Sequence, residues 1–135
     1  MTVYMLDTNI CSFLMRHQQP VGLRLMEAVA VGAIISISAI TYCELRDGAL
    51  GPKASPKHVT MVDELAARVD IYPWDASAVE QTTAIRAHLR AQGTPISLND
   101  SAIAGHASAI DVVLVTNNTR DLSRVPKLRL EDWTS

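Results

Sequence analysis

The sequence has only two cysteines among its 135 residues, Cys11 and Cys43, far apart and in no C-x-x-C or Cys/His spacing. Neither a disulfide framework nor a structural zinc site is expected, and a reducing cytoplasm is the compartment that fits. It also lacks a basic surplus: 12 Lys and Arg against 14 Asp and Glu leave a net charge of −2. That balance gives no broad electrostatic footprint for nucleic acid, so a polyanion must be met by a local patch or by bound cations. No charged leader precedes an apolar segment, and the longest apolar run, near Ala28 to Ser36, is broken by Gly32 and too short for a bilayer. Export and membrane insertion are disfavoured. The G-x-x-x-x-G-K-[ST], G-x-G-x-x-G and G-x-S-x-G signatures are all missing, and His17, His58, His88 and His106 form no ligand-spaced pair.

What the chain does have is apolar residues, 48% of the total, enough to bury a core without staples. Val3 to Leu6 reads as a buried parallel strand that stops at the polar group Asp7-Thr8-Asn9. Helical stretches follow from Ile10 to Arg16 and from Pro20 to Val31, with Gly32 suited to a C-terminal cap. Ala33 to Ile37 is β-branched, and Ser38 then caps a helix with apolar positions Ile40, Cys43 and Ala49, closed by Gly48, Gly51 and Pro52. A helix from Pro56 to Arg68 leads to a strand over Val69 to Tyr72. Asp75 caps a helix that turns Val79, Ile85 and Leu89 to the core before Gly93 and Pro95 stop it. A further helix begins near Asn99-Asp100, buries Ile103, Ala107 and Ile110, and hands over to a strand at Val112 to Val115. A short helix and an edge strand around Leu128 to Leu130 finish the chain. Strands alternating with helices, joined by connections too long for hairpins, give an α/β class: one domain over residues 1–135, with a mostly parallel sheet covered by helices on both faces.

In such sheets the ligand crevice lies beyond the carboxyl ends of the strands, and there the sequence concentrates its polar residues. Asp7 directly follows the first strand; Thr116, Asn117 and Asn118 directly follow the fourth. Glu44 is interleaved with apolar Ile40 and Cys43, so it either faces a cleft or is simply solvated. Asp100 either joins the cleft or serves its own helix N-terminus. Were Asp7, Glu44 and Asp100 to converge, their mutual repulsion would call for a divalent cation, and an oxygen-only site suits Mg²⁺ or Mn²⁺. Such an ion recruits phosphate and assists hydrolysis of a phosphodiester.

The blocks M-L-D-T-N-I at Met5 to Ile10, Glu44, N-D at Asn99-Asp100, I-A-G-H-A at Ile103 to Ala107 and V-T-N-N-T-R-D-L at Val115 to Leu122 together resemble the VapC-type toxins, PIN-domain ribonucleases of bacterial toxin–antitoxin pairs. The resemblance runs from Met5 to the E-D-W at Glu131 to Trp133. It implies a PIN-like three-layer fold and a Mg²⁺-dependent endoribonuclease, in which Asp7 and Asp100 match the principal metal ligands and Glu44 the acid of the third helix. It also implies a VapB-like antitoxin whose tail enters the active-site groove, initiator tRNA cut in its anticodon stem-loop as substrate, and dimerisation within a higher toxin–antitoxin assembly. One departure is Asn118, where many relatives carry a fourth acid; Asp121 is the candidate replacement. Asn9 and Thr116 are expected to orient carboxylates or water, or else to be turn and cap residues. Arg16, Arg46, Arg86, Arg120 and Arg124 are the candidates for phosphate contact. His106 is read as structural or partner-facing. Two rivals remain: a phosphoryl-aspartate or receiver domain, disfavoured by Asn9 and by the lack of a lysine after the last strand, and a PIN scaffold that binds RNA or protein without cutting.

Overall fold

Side chains alternate along the first strand, β1 (Val3–Leu6): Tyr4 and Leu6 join one hydrophobic cluster, Val3 and Met5 another. The computed structural model describes residues 1–135, and this alternation builds its three layers. β2 (Ile34–Ser38), β3 (Asp70–Tyr72), β4 (Val113–Val115) and β5 (Leu130–Glu131) complete one sheet in the order β3-β2-β1-β4-β5, every pairing parallel. Parallel neighbours require crossovers, and the helices supply them. α1 (Thr8–Met15), α2 (Val21–Ala30), α3 (Ala39–Ala49) and α4 (Pro56–Ala66) close over Leu6, Ile35, Ile37 and Val115. α5 (Ala76–Ala91), α6 (Leu98–Ile110) and α7 (Thr119–Leu122) cover Met5 and Leu114 on the other face.

The strand order reverses at β1. From there the chain builds outward through β2 to β3, then returns to lay β4 on β1's free side. Ligands of open parallel sheets bind at this kind of reversal, beyond the strand ends. Here it lies between Leu6 and Val115, which pair in register, and the Asp7 N–H donates to the Val115 carbonyl at 3.0 Å.

Sequence caps work as read at Ser38, whose hydroxyl accepts from the Ile40 N–H, and at Asp75, whose carboxylate accepts from the Ala78 N–H. Several expected core positions are not in the core. Val79 and Ile110 are each 41% exposed, and Cys43 is exposed. In α5 the inward stripe is instead Ala78, Thr82, Ile85 and Leu89, because α5 lies so close on α6 that small residues must meet there. A Cβ added at Gly105 would fall 2.6 Å from the Cα and N of Thr82. In α3 the inward row is Thr41, Leu45 and Ala49, which leaves Cys43 to solvent. His106 is fully buried in α6, its Nδ1 2.8 Å from the Ser38 hydroxyl. It is therefore structural: it ties α6 to the end of β2.

Candidate active site

Asp7 ends β1 and begins α1, where its carboxylate accepts from the Ile10 N–H at 2.9 Å. Only 7% exposed, it has a pKa raised above the ordinary 3.8, first by burial and then by the charges of Asp100 and Glu44. The Thr116 side chain and the Ile10 N–H oppose that shift by favouring the charged form. Asp100 and Glu44 thus both come within electrostatic reach of Asp7. Asp100 sits in the first turn of α6, whose cap Ser97 accepts from its N–H at 3.1 Å. Glu44 comes from the second turn of α3.

Hydrogen bonds, with Asp7–Thr8 and Asn99–Asp100 as chain neighbours, link these groups in a ring. The Thr8 hydroxyl donates to Glu44 Oε1 at 2.6 Å, and the Asn99 amide to Oε2 at 2.7 Å. Asn99 precedes Asp100, whose Oδ2 accepts from the Asn118 amide at 3.0 Å. The Asn118 N–H donates to the Thr116 hydroxyl at 3.0 Å, and Thr116 returns to Asp7. Asn118 also leans toward Asp121, at 3.4 Å, so Asp121 stands at the rim on the side of the missing fourth acid.

Two expectations need correction. Asn9 is exposed and its side chain makes no hydrogen bond; the hydroxyl that orients a carboxylate is that of Thr8. Nor do the three acids form a ready-made trio around one point. Glu44 is drawn aside onto Thr8 and Asn99, while Asp7 and Asp100 feel each other's charge. An oxygen-only pair of this kind fits a hard divalent ion that keeps most of its waters.

The arginines divide. Arg46 pairs with Asp63, and Arg86 donates to the Ser101 hydroxyl at 3.0 Å, bracing α5 against the turn that carries Asp100. Arg124 pairs loosely with Asp121 at 3.5 Å. Arg16 lies over the Phe13 ring at 5.3 Å, and Arg120 is exposed with no side-chain partner. Of these five, Arg16, Arg86 and Arg120 take part in no ion pair, and Arg120 alone has no partner for its guanidinium. Beside the ring runs a trough of two cavities, about 470 Å³ and about 570 Å³, that share Met15 and Met61. The first is lined by Thr8, Glu44 and Lys53; the second reaches the largely exposed Met26 and Val29 of α2.

Comparison with known proteins agrees with this geometry. Residues 4–128 match the PIN domain. The tRNA(fMet)-specific endonuclease VapC of Shigella flexneri is 38% identical over 134 residues, which cover 99% of this chain and all of that protein. Its namesake in Salmonella typhimurium is 37% identical over 133 residues, 98% of this chain and 99% of the relative. Among solved structures, a chain of the VapBC2 complex of Rickettsia felis, bound to a DNA fragment from its promoter, superposes with a TM-score of 0.90 at 34% identity, covering 98% of this chain and 99% of that one.

Proposed function

Since the chain belongs to the PIN-domain family, we propose that it is a VapC-type toxin: a divalent-metal-dependent endoribonuclease that cuts initiator tRNA in its anticodon stem-loop and is neutralised by a VapB-like antitoxin. The observation that supports this reading is the ring of contacts linking Asp7, the cap of α1, with Glu44 of α3 and Asp100 of α6 beside the β1/β4 reversal. Relatives that share over a third of their residues with this chain are named tRNA(fMet)-specific endonucleases.

Asp7 and Asp100 would hold the ion, with Mg²⁺ as the fitting choice and Mn²⁺ as a substitute. Bound there, it supplies charge for the phosphate oxygens and acidifies water. Burial makes an uncompensated charge on Asp7 costly, so the pocket favours an arriving cation over an empty carboxylate pair. Glu44 takes hydrogen bonds on both oxygens, which holds it in one orientation and leaves lone pairs with which to position a water and accept its proton. Arg16 and Arg120 are placed to grip flanking phosphates.

The apolar trough suits the antitoxin, whose tail would fill it and end at Glu44. No helix is long and apolar enough to cross a membrane, and we place the protein in the cytoplasm as one PIN-like domain over residues 1–135. Dimerisation within the larger toxin–antitoxin assembly belongs to the same proposal.

The test is cleavage of purified initiator tRNA. Cutting is expected with Mg²⁺ and not with a chelator. Asp7→Asn and Asp100→Asn should each abolish it while the fold survives, because Asn still caps α1 and either change relieves repulsion. Undiminished cutting by either variant removes that residue from the site.

A further inference from the structure

Across the α1–α2 connection from the trough, a second opening of about 410 Å³ lies between Phe13, Gln18, Gln19 and Val21 on one side and Asn117 and Thr134 on the other. Its volume is in the range of small-ligand sites. It sits at the same end of the sheet as the acids. Asn117 is the peptide neighbour of both Thr116 and Asn118, two members of the ring. Phe13 is six residues beyond Asp7 on α1, about 9 Å along the helix axis. We infer that this opening receives one unpaired nucleobase next to the scissile phosphate, with Gln18 and Asn117 reading its edge. The inference rests on the nuclease reading above and adds a recognition site to it.

The lining chemistry selects a base over other parts of an RNA. No acidic or basic side chain lines the cavity, so it offers nothing to a phosphate or a metal ion. A base has flat apolar faces and a polar edge. The faces are met by the Phe13 ring and by Val21, apolar surface of the kind on which unstacked RNA bases rest. The edge is met by amides, each of which presents one acceptor and two donor hydrogens. The other acceptors of the lining are engaged: Gln19 Oε1 accepts from the Leu23 N–H at 3.1 Å, and the Thr134 hydroxyl is held by Asp132. The side chains of Gln18 and Asn117 have no hydrogen-bond partner in the protein, so both amides keep acceptor and donors for a base edge.

Sequence-specific reading of RNA targets bases splayed from loops, and an anticodon loop presents such bases. With the base seated between Phe13 and Asn117, the phosphate on its acid-facing side is carried toward Asp7 and Asp100. Asn117 lines this cavity and not the trough, so base reading and antitoxin docking are separable at that residue.

The experiment uses the full chain and a set of short stem-loop RNAs in which each nucleotide flanking the cut is varied in turn or made abasic. Relative kcat/KM is measured for the unsubstituted protein, Asn117→Ala, Gln18→Ala and Phe13→Leu. The unsubstituted chain should prefer one base at one flanking position by about tenfold or more and lose that preference on the abasic substrate. Asn117→Ala and Gln18→Ala should flatten the preference at that position only, and should cut the abasic RNA as the unsubstituted chain does. Phe13→Leu should lower kcat/KM for every base there, through KM. Gln81→Ala, at the opposite end of the sheet, should keep the full preference, and thermal midpoints report that each variant is folded. Cleavage with an identical base preference in all variants overturns the pocket and leaves the nuclease standing, as does an effect of Asn117→Ala confined to antitoxin affinity. No cleavage by the unsubstituted chain takes down both.

Discussion

At the scale of single residues, the site depends on small neutral groups that fix charged ones. Asn99 and Thr8 take up one oxygen each of Glu44, and Asn118 takes one of Asp100. Groups that orient ligands in this way typically account for a 10–100-fold effect when removed. Asn99→Ala should therefore reduce kcat by roughly that factor with little change in KM, while Asn99→Asp, which sets a charge against Glu44, should do worse; steady-state cleavage of the stem-loop reads both. An unchanged kcat in Asn99→Ala would show that Glu44 needs no clamp. Position singled out Asp7 at a strand end, whereas Asp100 at a helix start could be read either way until the family resemblance matched it to a ligand. Thr8 was not distinguished from Asn9, because adjacent helical residues point about 100° apart and only the register of α1 settles which faces inward. The helix begins at Thr8 rather than near Ile10, with Asp7 as its cap, and that two-residue difference turns Thr8 onto Glu44 and Asn9 to solvent.

At the scale of elements, α5 and α6 meet closely where Gly105 faces the Thr82 backbone. Gly105→Ala would press a methyl against the Thr82 backbone, which cannot rotate away. The expected loss is about 1–3 kcal/mol or more, read by urea denaturation, and Thr82→Ala should not rescue it because the backbone atoms remain. His106, buried beside Ser38, carries a pKa lowered from 6.5, chiefly by burial and opposed by the charge of Asp75. A folded-state pKa below the unfolded one means that the unfolded chain binds the proton more readily. This contribution to stability is present above 6.5 and is lost as the pH falls through that value toward the folded pKa. His106→Gln should flatten the pH dependence of the urea midpoint between about pH 7 and about pH 5; an unaltered slope would assign it to other groups. Periodicity located all of the longer elements, and its errors lie where ends compete for the same backbone. β4 begins at Val113 rather than Val112 because the Val112 N–H closes α6 on the Ala107 carbonyl, after Asp111 at φ 55°. The last strand is set at Leu130–Glu131 by bonds to its neighbour that no local pattern encodes: the Thr116 N–H donates to the Glu131 carbonyl.

At the scale of the whole molecule, gathering acids at one end of the sheet makes stability depend on what neutralises them. A cation that binds only the folded chain raises its melting temperature in proportion to the logarithm of its concentration once the site is saturated. Mg²⁺ and Mn²⁺ should each do so for the unsubstituted protein, and neither should for Asp7→Asn or Asp100→Asn; equal shifts in all three would locate the ion elsewhere. Class and layers could be read from alternating strands and helices, but the order of the strands could not. Which side of β1 receives β4 is decided by long-range packing, such as Leu114 against Ile103 and Leu89 in one cluster, and it is this choice that sets Thr116 beside Asp7.

The borders of the sheet carry a last implication. β3 has three residues and β5 only two, so few main-chain groups are left open along either flank. A foreign polypeptide gains almost nothing by zipping onto such stubs, and fibre growth through strand addition is discouraged. Whatever joins copies of this chain to one another, or to a partner, must grip the outer helices through their side chains.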